Sequence, residues 1–260
     1  MRILGGARRE SGTPPRRAAV AVRTALAVAP LVTFVAGCAL ATLRPAPFDR
    51  DFFPLAPNSH WEYAVSRYGG SERFRFAATV RSNDFHTADG RRCPIVDEQY
   101  GGTTERFPIV YCTESGFLHR IMSLEYRGET LEDNGFRSGE LKFLPTDLRH
   151  ANAWEGVTNA YRLPDGSGFE VQQLHRVLPD AERVVVPAGA FARCVHVETT
   201  AIHSAVDDHG ARTGPRVTYY YSDWYAPGVG LVKTEQRNSD AAVVATIELV
   251  HYVRGARSSS

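Results

Sequence analysis

Apolar and polar residues alternate one by one along most of this chain. In residues 61–65, Trp61, Tyr63 and Val65 share a face. In 73–80, Phe74, Phe76, Ala78 and Val80 point one way and Arg73, Arg75 and Thr79 the other. Further on, Val195, Val197 and Thr199 oppose His196 and Glu198, and Ile247, Leu249 and Val253 oppose Glu248 and Tyr252. A period of two marks a strand with one buried face. The same reading places strands at 93–99, 105–113, 117–126, 140–145, 157–163, 168–177, 182–186, 216–225 and 229–237. Turns fall at Tyr68-Gly69-Gly70-Ser71, Ala88-Asp89-Gly90, 164–168 and His209-Gly210. Residues 127–139 are polar and read as loop, and 145–153 admits one short helix. About a dozen short strands at hairpin spacing predict an all-β fold. It is an antiparallel curved sheet, closing into a half-barrel or open barrel with few short helices. Single alternation leaves one face of such a sheet against water or a cavity.

The first 50 residues break this pattern. Arg2, Arg8, Arg9, Arg16, Arg17 and Arg23 form a basic stretch, followed by an apolar run from Thr24 to Gly37. That run is shorter than the roughly 20 residues a membrane-spanning helix needs, and Pro30 interrupts it. It ends in Val35-Ala36-Gly37-Cys38, which resembles a bacterial lipobox. Residues 1–37 are therefore expected to be a lipoprotein signal peptide, with Cys38 lipidated and 38–50 a linker. Arg16-Arg17 lacks the Phe-Leu that follows a twin-arginine pair. Ala39, rather than Asp, after the cysteine implies release to the periplasmic face of the outer membrane by analogy with bacterial lipoproteins. The membrane is the first expected partner, through the lipid anchor.

Removing the leader leaves 223 residues with a formal net charge of −4, so the slight basicity of the whole chain comes from the leader. No basic cluster with interleaved aromatics follows, which excludes a nucleic-acid surface. Residues 51–254 read as a single antiparallel β domain, and 255–260 as a disordered tail.

Three cysteines remain, Cys93, Cys112 and Cys194. Strand-like 93–99 and 105–113 flank the turn Tyr100-Gly101-Gly102-Thr103-Thr104. If Tyr100 pairs with Glu105, the same register sets Cys93 opposite Cys112, at the close approach of a non-hydrogen-bonded antiparallel pair. A disulfide between Cys93 and Cys112 is expected in an oxidising compartment. Cys93–Cys194, Cys112–Cys194 and no bridge at all stay open as alternatives. Without a C-x-x-C motif the bridge is structural rather than redox-active.

Three segments resemble elements of a broad class of uncharacterised bacterial lipoproteins. Residues 53–63, from Phe53-Pro54-Leu55 to Trp61-Glu62-Tyr63, are similar to an FPL…N-x-W-x-Y opening, although Ser59-His60 stand where that class has a glycine-containing turn. Residues 186–194, VPAGAFARC, are similar to a V-P-A-G-x-F-x-x-C element, and 224–233, WYAPGVGLVK, to a third. More distantly, the architecture resembles the half-barrels of LolA- and LolB-like lipoprotein carriers. Pro187 with Gly189, and Pro227 with Gly228, read as tight turns, and Gly230 as a bulge or close approach. These are fold-signature positions rather than active-site loops.

No G-x-S-x-G, H-E-x-x-H, P-loop, Rossmann or paired C-x-x-C motif is present, so no catalytic residue, cofactor site or metal site is nominated. His203 with Asp207, Asp208 and His209 is the best metal-like group, and it reads as a solvated hairpin loop. His196 reads as half of a cross-strand polar pair. The expected function is a non-enzymatic binding or structural module of the cell envelope, with an envelope protein, a glycan or a lipid as partner. The alternative is a periplasmic carrier of an apolar ligand in a concavity lined by Trp61, Tyr63, Phe74 and Phe76. A hydrolase is disfavoured.

Overall fold

The computed structural model describes residues 51–256, except 102, 122–123, 134–140, 163–167, 208 and 210. The leader, Cys38, the linker and the end of the tail lie outside the described residues. Among the described residues, fifteen strands follow one another: β1 (His60–Arg67), β2 (Glu72–His86), β3 (Arg92–Tyr100), β4 (Phe107–Glu114), β5 (Phe117–Ile121), β6 (Leu124–Arg127), β7 (Thr130–Asp133), β8 (Leu141–Pro145), β9 (Ala153–Arg162), β10 (Gly168–Val177), β11 (Glu182–Val186), β12 (Gly189–Val206), β13 (Arg212–Ala226), β14 (Gly230–Arg237) and β15 (Val243–Val253). The helical residues described are two single 3-10 turns, Tyr68–Gly70 and Leu148–His150. The second supplies the short helix expected within 145–153.

All strand pairings are antiparallel. Twelve strands form one continuous sheet in the order β8-β5-β4-β3-β2-β1-β15-β14-β13-β12-β10-β9, with β11 added beside β12. This sheet nearly closes into a barrel with a single seam, where β8 and β9 meet without pairing. Bulges within β1–β15, β13–β14, β10–β9 and β2–β3 interrupt the registers, and bulges increase local twist and bend a sheet. Strand alternation then sorts side chains into two populations. Trp61, Tyr63 and Val65 of β1, Ala78 and Val80 of β2, and Val197 of β12 are buried on the inner face. Arg73 and Arg75 are exposed on the outer one.

Two sequence expectations differ from the structure. The strand expected over 117–126 is split into β5 and β6. The loop expected over 127–139 contains β7, which pairs with β6 as a separate two-stranded sheet. This hairpin has a reason to exist: Leu124 and Leu131 pack on a small outer cluster of Cys93, Ile95, Val110 and Cys112. Four apolar residues on the outer face would otherwise lie in water.

Cys93 and Cys112 are bonded, with Cα atoms 4.7 Å apart. The β3–β4 register, with Ile95 opposite Val110 and Glu98 opposite Phe107, is the one that sets the two cysteines face to face. Cys194 is a free, buried thiol whose Sγ lies 3.6 Å from the Phe191 carbonyl. Burial pushes that thiol up to about 11, which makes it unreactive at neutral pH.

Candidate functional site

The three sequence elements that resemble the lipoprotein class converge at one end of the barrel. Trp61 Nε1–H donates to the Val229 carbonyl at 2.6 Å, and Tyr63 Oη donates to the Leu231 carbonyl at 3.0 Å. Gly228 N–H donates to the Asp51 carbonyl at 2.8 Å. Gly228 has φ 72°, which the turn after Pro227 requires, and Val229 N–H closes that turn on the Ala226 carbonyl at 3.1 Å. Gly230 has φ 102°, a backbone conformation that favours glycine, and an added Cβ there would be in ordinary contact with Pro54 and the Trp61 indole at 3.6 Å. The β11–β12 hairpin turns at Pro187-Ala188, with Val186 paired to Gly189. It docks through Ala188 N–H on the Leu249 carbonyl at 2.9 Å and through Phe191 on Tyr252. Together these contacts close the floor of the barrel around Phe52, Val184, Val186, Val229 and Leu249.

Above that floor the barrel holds a cavity of about 370 Å³. The size lies within the range of small-molecule sites. Its walls are aromatic: Trp61, Tyr63, Phe76, Tyr111, Trp154, Tyr221 and Tyr225 all face it. Tyr63, Phe76 and Tyr100 occupy directly opposed positions on β1, β2 and β3. Their rings stack at 4.8 and 5.4 Å between centroids. The ladder runs across β1–β3, and Arg67, Phe74 and Tyr100 at the ends of these strands border the same cavity. Trp61, Tyr63, Phe74 and Phe76 thus stand where the concavity was expected to be lined.

Polar groups enter this aromatic interior at three places. Glu98 on β3 lies 3.9 Å from the Arg120 guanidinium on β5 and accepts a hydrogen bond from Tyr100. His175 on β10 has Nδ1 2.7 Å from Thr199 Oγ1, and its ring stacks on Trp154. Burial pushes His175 down to about 4, so the ring is neutral at physiological pH. Two strands from His175, and across the cavity from Glu98, Asp223 of β13 accepts a hydrogen bond from Thr234 Oγ1 at 2.6 Å. Burial pushes the Asp223 carboxyl up to about 6, against the pull of Thr234 and of His196. Asp223 nevertheless keeps accessible surface, and that surface faces the cavity. Burial also raises Tyr111 and Tyr221 to about 12, and raises Tyr63 and Tyr225. These hydroxyls stay protonated and offer hydrogen bonds.

Asp223 and His175 carried no motif, and the sequence placed them only within the strands at 216–225 and 168–177. Their role in the cavity follows from which strands the closed sheet brings together. The His175–Thr199 pair sets a potential base beside a hydroxyl. The other ring nitrogen of His175, Nε2, is buried without a partner, so no carboxylate orients the ring as a hydrolytic relay requires.

His196 is elsewhere. It is buried, stacked on Trp224 at 4.4 Å, with Nδ1 donating to Glu182 Oε1 at 2.8 Å. Trp224 Nε1–H donates to the other oxygen of Glu182, also at 2.8 Å. The expected cross-strand polar pair therefore exists, with Glu182 of β11 as partner, while Glu198 pairs with Arg176. Burial pushes the Glu182 carboxyl up, but the Trp224 and His196 hydrogen bonds outweigh it and hold the carboxyl below its usual range. This set pins β11 to β12 and β13. Around His203, Asp207 accepts from His209 N–H and Ala211 N–H, as a turn-forming aspartate does. Asp208 lies outside the described residues, and among those described no three His, Cys, Asp or Glu converge as a metal site.

Residues 158–249 match the DUF3108-like family model. No curated protein matches the chain. Two solved structures share the fold. A candidate lipoprotein of Parabacteroides distasonis is 16% identical with a TM-score of 0.57, over 78% of this chain and 98% of its own. A candidate exported protein with a YmcC-like fold from Bacteroides fragilis is 14% identical with a TM-score of 0.55, over 78% of this chain and 99% of its own. The fold of this chain is thus similar to that of two proteins described as lipoprotein or exported.

Proposed function

We propose that this chain is a lipid-anchored, non-enzymatic binding protein of the bacterial cell envelope that holds a largely apolar ligand inside its barrel. The observation that carries the reading is the aromatic cavity of about 370 Å³ above a hydrogen-bonded floor. A β-domain that needed only to be stable would fill that space, because interiors pack to crystal-like density. The cavity favours a ligand in the interior over a partner captured on the surface. The envelope location is supported by the lipobox-like Val35-Ala36-Gly37-Cys38 and by the lipoprotein and exported-protein descriptions of the two structural neighbours. The outer-membrane, periplasm-facing placement belongs to the same reading.

The test is uptake of the neutral fluorophore N-phenyl-1-naphthylamine by the purified protein at pH 5, where the Asp223 carboxyl is largely protonated. One molecule should bind per chain with enhanced emission. Ala78 lines the cavity, so Ala78→Phe should fill part of it and weaken uptake by about tenfold or more. The exposed Val217 lies away from the cavity, and Val217→Phe should leave uptake unchanged. No uptake by the wild type, or equal uptake by the Ala78→Phe variant, overturns the reading.

A further inference from the structure

We propose that the ligand of the barrel carries a cationic nitrogen, a protonated amine on an apolar or aromatic body, and that Asp223 receives it. This deepens the binding reading above and rests on it.

The inference comes from the charges that the interior leaves uncompensated. Glu98 and Arg120 face each other on neighbouring parts of one wall, and Tyr100 donates to Glu98 as well. Arg67, at the end of β1, lies 3.9 Å from Glu72. Asp223 comes from a different wall, with four strands between β3 and β13 along the sheet. Its one hydrogen bond is from Thr234, and no cation pairs with it among the described residues. The groups around it are Thr234 from β14, Val197 and Thr199 from β12, His175 from β10, and Tyr221 and Tyr225 on its own strand. Tyr63, Tyr111, Glu98 and Arg120 line the facing wall, and His196 acts through the sheet from the outer side. His175 is neutral and the tyrosines are protonated at physiological pH.

A neutral apolar ligand would cover Asp223 and strand an uncompensated charge in a dry site, which is strongly unfavourable. An anionic ligand would meet Asp223 and an arginine already engaged by Glu98. A protonated amine resolves both problems. It pairs with the carboxylate, and the aromatic walls present π faces that attract cations within about 6 Å of a ring centre.

The experiment titrates the purified protein with three probes that share one body: 4-phenylbutylamine, 4-phenylbutanol and 4-phenylbutyrate. Emission of Trp61 and Trp154, which line the cavity, reports binding. At pH 7.5 the amine should bind about tenfold or more tightly than the alcohol and the acid. Lowering the pH to 5 should protonate Asp223 and weaken amine binding by about tenfold, with little change for the alcohol. Asp223→Asn keeps the side-chain shape and should erase the amine preference while the alcohol still binds. The wild-type pH profile stands as the test should that variant fold poorly. Equal binding of all three, or preference for the acid, overturns the cationic-ligand inference and leaves the apolar-ligand reading intact. Binding of none overturns both.

Discussion

The ring of His175 lies flat against Trp154, with centroids 4.6 Å apart and planes 14° from parallel, at directly paired positions on β10 and β9. The stack stands at the seam side of the barrel, since β9 is the last strand of the sheet. It covers His175 so well that the residue is only 8% exposed.

A pH dependence follows. His175 is held near 4 in the folded protein, against about 6.5 in an unfolded chain. Between those values the unfolded state binds the extra proton, so stability is fully present above pH 6.5 and is lost as pH falls toward 4. The loss is on the order of 3 kcal/mol. Because Asp223 gains over the same interval, the loss should show in the Asp223→Asn background, by denaturant unfolding at pH 7 and pH 4.5, and adding His175→Phe there should remove most of the difference. An unchanged pH profile in that variant would refute the assignment.

Asp223 acts with the opposite sign. Its folded value of about 6 lies above that of an unfolded aspartate, so its contribution is present below about pH 3.9 and is lost as pH rises through 6. At pH 7.5 the ionised group burdens the empty barrel. Asp223→Asn should therefore be more stable than wild type at pH 7.5, by on the order of 2–3 kcal/mol, and level with it at pH 3.5. A variant destabilised at pH 7.5 would mean that the carboxylate serves the fold rather than a ligand.

The Cys93–Cys112 bridge closes a 19-residue separation on the outer wall. A loop of that size is worth about 3 kcal/mol of stability through the entropy of the unfolded chain. Cys93→Ala with Cys112→Ala should lower unfolding free energy by about that amount without reducing probe uptake, because both residues face the outer cluster and not the cavity. Loss of uptake in a folded double variant would contradict that separation.

Cys38 is the expected site of acylation. Cells fed a palmitate analogue should label the wild-type protein and leave Cys38→Ser unlabelled. Label retained in that variant would place the lipid at another residue.

Much of the barrel was legible in the order of residues, because burial of one sheet face writes a period of two into each strand. The alternation in Trp61-Glu62-Tyr63-Ala64-Val65 and in 73–80 predicted the inner faces of β1 and β2, and both are inward as expected. The turn at 100–104 predicted the register that joins Cys93 to Cys112. Pro227-Gly228 and Pro187-Gly189 named turns through local backbone chemistry. All of these are short-range matters, decided within a hairpin.

Three matters waited for the tertiary structure. Periodicity says that Asp223, Glu98 and His175 share the parity of their apolar neighbours, but not that one curved sheet gathers them around a common cavity. That depends on the count and order of strands and on the bulges that bend them. Glu182 could not be matched to both His196 and Trp224, since that contact needs β11 laid beside β12. The β6–β7 hairpin hid within a polar stretch, because its apolar residues, Leu124 and Leu131, acquire a surface to cover only once β3 and β4 have paired.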